Sequence, residues 1–431
     1  MSASAPLALT LPDNCWQQRW ADIIRNSKTL ESIGFIWDKT AACKSQRRAE
    51  LFVDWLGTRV GKKTSELELA LTPDNPSLIT QAFKNNLWCI LGQMAATLKH
   101  LAIKASGNLV TDVGPWITSF SQLEYLLLAP RGNSLSVRTS LGSLTRLKDL
   151  VLSVKQHDLV DNMEDQAALA GAGHNLSLNF PSQHPAWLPA SLTALRLECP
   201  TLSTLPGCLS GLSGLASLEL STRSMLTNSS LILAHTGVKS LELSGCVPSS
   251  FVGQLSAFTR LSALSLSHLP LGAGNGAAVQ QQLQQGLTEL KQLKQLSLSY
   301  CHLGMFPEVV RSLSQLAFLD LSFNPQVTSF PPGDHLRSLE LLAADWAAIA
   351  PEPSGLQSAS ALEELCLTDR PPDSDSVARV LRALCAMPQL SAVYFDTGPG
   401  TQMTHDVVLA LTELARERPT LQFKSLEDCM W

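Results

Sequence analysis

Residues Leu293 to Pro331 read LKQLSLSYCHLGMFPEVVRSLSQLAFLDLSFNPQVTSFP, and one pattern occurs in them twice. Leu293, Leu296 and Leu298 give L-x-x-L-x-L, and 23 residues on Leu316, Leu319 and Leu321 give it again. Cys301 and Asn324 follow at the ninth place of each unit, and the pairs Phe306-Pro307 and Phe330-Pro331 come after them. In a strand the fourth and sixth residues point to one side and their neighbours to the other. One such unit cannot bury its leucines alone, so units must stack and share a core.

Working outward, the pattern starts again at 98, 123, 147, 173, 192, 215, 238, 261, 293, 316, 336, 362 and 390. The spacing and the N/C ninth place identify the chain as a leucine-rich-repeat protein. The expected fold is an α/β leucine-rich-repeat solenoid, a horseshoe with a concave parallel sheet, spanning 64–431 behind a small helical head at 1–63. With strands about 4.8 Å apart, the concave arc extends roughly 60 Å, long enough for a protein partner. The array opens with the alternating run SELELAL at 65–71, and Ile79–Leu98 then reads as a helix with Phe83, Leu87, Ile90, Leu91 and Met94 on one face. Insertions fall at 155–172 and at 270–290, the second helical; Ser374–Met387 and Met403–Glu417 read as full amphipathic helices.

Composition supports this. Leucine supplies 78 of 431 residues, while aromatics are 6% and charged residues 16%, a repetitive apolar core rather than a disordered chain. Net charge is −5; residues 1–63 hold 10 Lys+Arg against 6 Asp+Glu, so the rest carries −9. An acidic body argues against nucleic-acid binding. Ten cysteines are scattered with no C-x-x-C, which reads as a reducing compartment, with neither disulfide framework nor zinc site. The start MSASAPLALTLPDNCW has no basic region and only a short apolar run, and Cys199–Leu218 is broken by Pro200 and Pro206, so neither a signal peptide nor a membrane span is expected.

The head reads as three amphipathic helices: one with Trp16, Trp20, Ile23 and Ile24, one with Leu30, Ile33, Ile36 and Trp37, and one with Leu51, Phe52, Trp55 and Leu56. Its Leu11-Pro12 opening, short helices and TLESIGFIWDKTAACKSQRR before a leucine-rich array resemble an F-box. That resemblance implies docking on a Skp-type adaptor of a cullin–RING ubiquitin ligase through Leu11, Pro12, Trp16, Ile23, Ile24, Leu30, Ile33 and Ile36. The F-box ending V-C/S-R/K-x-W is absent, and Trp37-Asp38-Lys39-Thr40 stands near its place. The other reading of the head is a cap over the first strand edge, which a solenoid needs. The mixture of Pro-containing and helix-backed repeats resembles plant and green-algal cytosolic leucine-rich-repeat proteins. These include F-box substrate receptors and cilium- or axoneme-associated scaffolds, which implies a cytoplasmic, nuclear or axonemal place and a monomer.

No catalytic constellation stands out. The nine histidines are dispersed, and no H-E-x-x-H, G-x-S-x-G or Walker string occurs. Gly272, Gly274 and Gly276 imitate a dinucleotide fingerprint, but without a βαβ unit they read as a flexible entry to the inserted helix. Asp373 and Asp375 read as a helix cap. No enzyme, cofactor or metal is expected, and binding rests on the outward strand residues. Fifth places run Ala102, Leu127, Val151, Ser177, Arg196, Glu219, Glu242, Ser265, Ser297, Asp320, Glu340, Cys366 and Tyr394. Seventh places give Glu198 and a ladder of Ser221, Ser244, Ser267, Ser299 and Ser322, while third places give Tyr125, Phe318 and Glu364. The expected surface is therefore apolar at Tyr125 and Leu127, or covered there by 155–172. It is acidic at Glu219, Glu242, Asp320 and Glu340, where a basic partner would sit, and aromatic at Phe318 and Tyr394. The alternative is that these acids are simply solvated.

Overall fold

The computed structural model describes residues 31–37, 46–61, 63–72, 79–106, 109–132, 134–154, 176–180, 187–269, 271, 276–369, 373–395 and 405–426. The chain divides into two compact units, Met1–His235 and Thr236–Trp431.

The first unit carries the parallel strands β1 (Ser32–Trp37), β2 (Glu66–Leu71), β3 (His100–Ser106), β5 (Tyr125–Arg131), β7 (Asp149–Ser153), β9 (Ala194–Glu198) and β10 (Ser217–Ser221), paired in that order. A small parallel sheet of β4 (Asp112–Val113), β6 (Leu135–Val137) and β8 (Leu178–Asn179) comes from the connections that follow β3, β5 and β7. The second unit carries β11 (Ser240–Ser244), β12 (Ala263–Ser265), β13 (Gln295–Ser297), β14 (Phe318–Asp320), β15 (Leu341–Asp345), β16 (Glu364–Thr368), β17 (Ala392–Phe395) and β18 (Gln422–Lys424), all parallel and paired in chain order. This is the leucine-rich-repeat architecture.

The inward leucines make it. Leu101, Leu126, Leu150 and Leu195 share one register row in the first unit, and Leu241, Leu264, Leu296, Leu319, Leu342 and Leu365 share one in the second; all are buried. Each contributes about 1.5–3 kcal/mol on leaving water. Helix Gln81–Met94 buries Phe83, Leu87, Ile90, Leu91 and Met94, the five expected, and Thr80 caps it through the Phe83 amide at 3.2 Å. The expected C-terminal helices occur at Ser374–Cys385 and His405–Glu417, and the inserted one at Gly276–Leu287. Asp373 caps the first of these through the Ser376 amide at 2.6 Å.

Four expectations change. The set Leu30, Ile33, Ile36 and Trp37 is not a helix: Ser32–Trp37 is a strand whose Ile33 and Phe35 turn inward with period two, paired residue for residue with β2. The sheet therefore begins before Ser65. Helix Gln46–Gly57 does form, and its Phe52 stacks on Phe35 with ring centres 3.8 Å apart. The first expected helix, with Trp16 and Ile24, lies outside the described residues.

The unit placed at 173 does not enter the main sheet. β7 pairs directly with β9, and Ser177 adjoins β8 of the small sheet, so it lines no row with Val151. The unit placed at 336 starts at 339 instead: Asp320 pairs with Ala343, not Glu340. The 336 register satisfies L-x-x-L-x-L through Leu341, whereas the observed one has the buried Ala344 at its sixth place. The observed one nevertheless keeps the step of 23 residues from Leu316 and brings Asp345 to the seventh place, where it has amides to accept. Finally β18 was not expected; its Phe423 pairs with Val393.

Candidate protein-recognition surface

Outward residues of the first unit form straight rows across the strands. The third-place row includes His100, Tyr125, Asp149 and Ala194; the fifth includes Glu68, Ala102, Leu127, Val151, Arg196 and Glu219; the seventh includes Ala70, Lys104, Ala129, Ser153, Glu198 and Ser221. The rows follow from strand pleating, which sends alternate residues to one face.

A hollow of about 260 Å³ opens on β3, β5, β7 and β9, with Lys104, Tyr125, Leu127, Arg131, Arg196 and Glu198 in its wall. Small-molecule sites run to about 300–1,000 Å³, so this one suits an inserted side chain or two better than a cofactor. Its floor is apolar, from Leu127, Val151, Ala129 and Pro130. Tyr125 stands half-buried at its rim and stacks face to face on His100, with ring centres 4.1 Å apart and planes 6° from parallel. Burial pushes the Tyr125 hydroxyl above its ordinary value, and the nearby Glu68 charge adds to that. His100 Nε2 lies 3.3 Å from Glu68 Oε1, close enough for an ion pair when the imidazole is protonated but without hydrogen-bond alignment.

The charged residues beside the hollow are already coupled to each other. Arg196 Nε lies 2.6 Å from Glu198 Oε1 and 2.7 Å from Glu219 Oε1. Ser153 Oγ donates to the other Glu198 oxygen. Glu198, at 6% exposure, is thus a buried carboxylate with a cation and a hydroxyl, the arrangement that burial of charge requires.

The second unit presents a hydroxyl-rich middle. Ser267 and Ser299 hydroxyls lie 3.1 Å apart, so the serine ladder is a bonded one at that step. Asp320 accepts from Ser297 Oγ at 2.7 Å, from the Ser322 amide at 2.9 Å and from Ser322 Oγ at 2.5 Å. Glu242 takes its fifth-place row position beside Ser265, half-exposed, and Glu364 its third-place position beside Leu341. Phe318 is half-exposed beside Gln295. Tyr394 is not an exposed anchor. It is 5% exposed, in a cluster with Ala343, Cys366 and Ala392 that the chain's own Leu426 packs against, and Lys424 Nζ lies 5.2 Å from its ring centre.

An aromatic shelf lies one place beyond the serines. His268, Tyr300 and Phe323 occupy eighth places and stack in series, with ring centres 4.5 and 4.1 Å apart. Their φ angles are 56°, 54° and 57°, in the left-handed region that bulky residues avoid. The repeat imposes this: each amide points to the next unit, His268 N–H to Ser299 O and Tyr300 N–H to Ser322 O, both at 3.1 Å. Gly245 and Asp369 hold the same place with the same sign of φ.

The structure thus gathers Tyr125, Leu127, Arg196, Glu198 and Glu219 in one unit, and places Glu242, Phe318, Asp320 and Glu364 in the other. Glu340 falls outside the fifth-place row. Of the head set, Ile33 is buried at 2% exposure and Ile36 lies within β1; Leu11, Pro12, Trp16, Ile23, Ile24 and Leu30 lie outside the described residues, as do Gly272 and Gly274. Sequence reading passed over Lys104 because it took seventh places only from Glu198 onward, and over Arg131 because that residue lies at a ninth place; it passed over the shelf although S-H, S-Y and S-F recur at the same offset. Cys246 and Cys301 are inert: burial pushes each thiol up to about 12. Among the described residues no group of three or more His, Cys, Asp or Glu is placed to hold a metal ion, and no helix is long and apolar enough to cross a membrane.

The chain matches no protein-family profile and no curated protein. Among solved structures it is similar to a leucine-rich-repeat protein of Leptospira interrogans, at 18% identity over 90% of this chain and 93% of that one, with a TM-score of 0.43. It is similar also to an internalin of Listeria monocytogenes, at 13% identity over 78% of this chain and 82% of that one, with a TM-score of 0.40. A third is the leucine-rich-repeat ectodomain of the plant membrane receptor kinase GASSHO1/SCHENGEN3 from Arabidopsis thaliana. Identity there is 13% over 92% of this chain and 49% of that one, with a TM-score of 0.39.

Proposed function

We propose that this chain is a non-catalytic protein-recognition module that binds a polypeptide on the outward strand face of the unit Met1–His235. One observation carries the reading. Tyr125, Leu127 and Val151 lie half-exposed beside a side-chain-sized hollow whose rim is charged. An apolar floor with a polar rim is the layout of a binding hot spot. The seven described cysteines are free thiols, which suits a reducing, cytoplasmic place.

For the head, the packing favours a cap. β1 extends the sheet by one strand, and the Glu31 carbonyl accepts the Ser65 and Glu66 amides at 2.9 and 3.0 Å. A scaffold protein capped in this way needs no further partner for its head. A role as substrate receptor of a ubiquitin ligase would rest on Leu11, Pro12, Trp16, Ile23, Ile24 and Leu30 alone, because Ile33 is committed to the core.

The test is affinity capture followed by mass spectrometry, comparing the wild type with Tyr125→Ala plus Leu127→Asp. Both side chains face outward, so thermal unfolding should move little. Captured proteins should fall by about tenfold or more, the loss of one hot-spot contact. An unchanged set of captured proteins refutes the reading. A Skp-type adaptor among them, lost with Trp16→Ala plus Ile23→Ala, would restore the ligase role.

A further inference from the structure

We propose that the unit Thr236–Trp431 carries a second recognition site: an apolar dip on the outward face of β15, β16 and β17 that takes an aliphatic side chain from an extended segment of a protein partner. The chain's own Leu426 fills this dip and leaves it when the partner binds. This goes beyond the reading above, which concerns the other unit.

Burial argues for it first. Ala343, Cys366 and Tyr394 hold successive fifth places, and Ala392 holds the third place on β17. Side chains at these places point away from the leucine core. Earlier members of the same fifth-place row, Ser265, Ser297 and Asp320, are accordingly half-exposed. Ala343, Cys366, Ala392 and Tyr394 are instead only 3% to 5% exposed, the burial of a core on the side opposite the core. Among the described residues, the apolar side chain that packs on them is Leu426.

Shape argues second. Ala343, Cys366 and Ala392 are small, while Tyr394 and Leu341 on the same face are large, so the dip has a low floor and raised walls. Lys424 holds the Tyr394 wall in place: its Nζ donates to the Tyr394 hydroxyl at 3.3 Å and lies 5.2 Å from the ring centre. A branched aliphatic side chain suits such a floor, and Leu426 occupies it in that way. An apolar side chain seated in a desolvated dip is the usual anchor of a protein interface.

Connection argues third. Leu426 is half-buried and lies two residues past the end of β18, outside the strand. It can lift away while Gln422 and Lys424 stay paired with Ala392 and Tyr394. One side chain held by no strand ladder belongs to the low-stability end of a fold. The half-exposed Leu341 and Phe318 continue the apolar lane past the dip. A partner segment thus has more apolar surface to bury there than Leu426 does, which sets the direction of the exchange.

The experiment uses the full chain and a labelled peptide copying residues 424–428, Lys-Ser-Leu-Glu-Asp, with Lys-Ser-Ala-Glu-Asp as its control, read by fluorescence anisotropy. In Leu426→Ala the dip is open. The leucine peptide should bind that variant about tenfold tighter than it binds the wild type, where tethered Leu426 competes. It should also bind the variant about tenfold tighter than the alanine peptide does. Ala343→Leu added to Leu426→Ala refills the floor and should abolish binding. Cys366 gives an independent readout. Its reaction with a maleimide, located by mass spectrometry, should be about tenfold faster in Leu426→Ala and slow again when the leucine peptide is added. Cys246 and Cys301, buried in the same unit, stay unreactive while the fold holds; should they react, Leu426→Gln replaces Leu426→Ala. Leucine and alanine peptides that bind the variant alike or not at all, equal binding of the leucine peptide to the wild type, binding that survives Ala343→Leu, or an unchanged Cys366 rate overturns the proposal.

Discussion

Asp345 takes the backbone amide of Asn324 at 2.6 Å with one carboxylate oxygen, and that of Phe323 at 2.7 Å with the other. Asn324 in turn reaches back one unit. Its Oδ1 accepts the Cys301 amide at 3.1 Å and the Leu303 amide at 3.0 Å, and its Nδ2 donates to the carbonyls of Leu298, Leu321 and Ser322. Three consecutive repeats are thereby joined by polar bonds on their loop side, parallel to the leucines on the inner side. Burial raises the Asp345 carboxyl above the usual carboxylate range, and the Thr368 hydroxyl and the two amides pull it part of the way back.

Asn324→Ala should therefore be costly out of proportion to its size. Asn324 is fully buried, and five bonds go with its side chain. Leaving buried donors and acceptors without partners costs about 1–3 kcal/mol each before relaxation or water entry. A net loss of about 3 kcal/mol is expected, read as a drop in the urea midpoint followed by tryptophan fluorescence. A loss under about 1 kcal/mol would mean that the loops are held by the leucines alone.

How much of this was legible in the sequence depended on what enforces each feature. The inward leucines were readable because burial tolerates few alternatives, and every row from Leu293 to Leu321 lies where the spacing put it. The register at 336 was not, because Leu336, Leu339 and Leu341 complete the leucine pattern while the observed frame carries Ala344 at its sixth place; the step of 23 residues and the Asp345 bonds to Phe323 and Asn324 go with the observed frame. Ser32–Trp37 misled for a similar reason: a short apolar run fits either period, and pairing to β2 decided it. On the site, Tyr125, Leu127, Arg196 and Glu198 were found by position. Their coupling was not, since apart from the Arg196–Glu198 contact within β9 it depends on side-chain reach across strands, between residues 23 to 45 apart in sequence.

Gly286 and Gly92 make opposite predictions from the same substitution. Gly286 sits in helix Gly276–Leu287 where it crosses the turn Ser249–Ala257, and an added Cβ would overlap the carbonyl of Val252. Backbone cannot yield as a side chain can, so Gly286→Ala should destabilise by about 2 kcal/mol or more. Gly92 is exposed within helix Gln81–Met94, with nothing within 4 Å of its Cβ position. Gly92→Ala should stabilise by about 0.5–1 kcal/mol through a less flexible unfolded chain and better helix propensity. Urea titrations of both variants check this, and a neutral Gly286→Ala would show that the helix can lift off the turn without cost.

Two buried histidines give the protein an acid-sensitive stability. His235 and His335 are 5% and 8% exposed, and neither Nε2 has a hydrogen-bond partner. Burial lowers the pKa of both below the ordinary 6.5, and for His335 the Arg311 charge lowers it further. The unfolded chain then binds a proton at a pH where the folded chain does not. Stability rises with pH wherever the unfolded state holds more protons, so the contribution is fully present above about 6.5 and is lost as the pH falls from there toward each lowered value. The urea midpoint should drop between about pH 7.5 and about pH 5.5. His235→Leu and His335→Leu should each shrink that drop, since leucine has no proton to gain. Proton uptake on unfolding, measured at about pH 6, should fall in step. A drop of unchanged size in both variants would place the acid sensitivity in other groups.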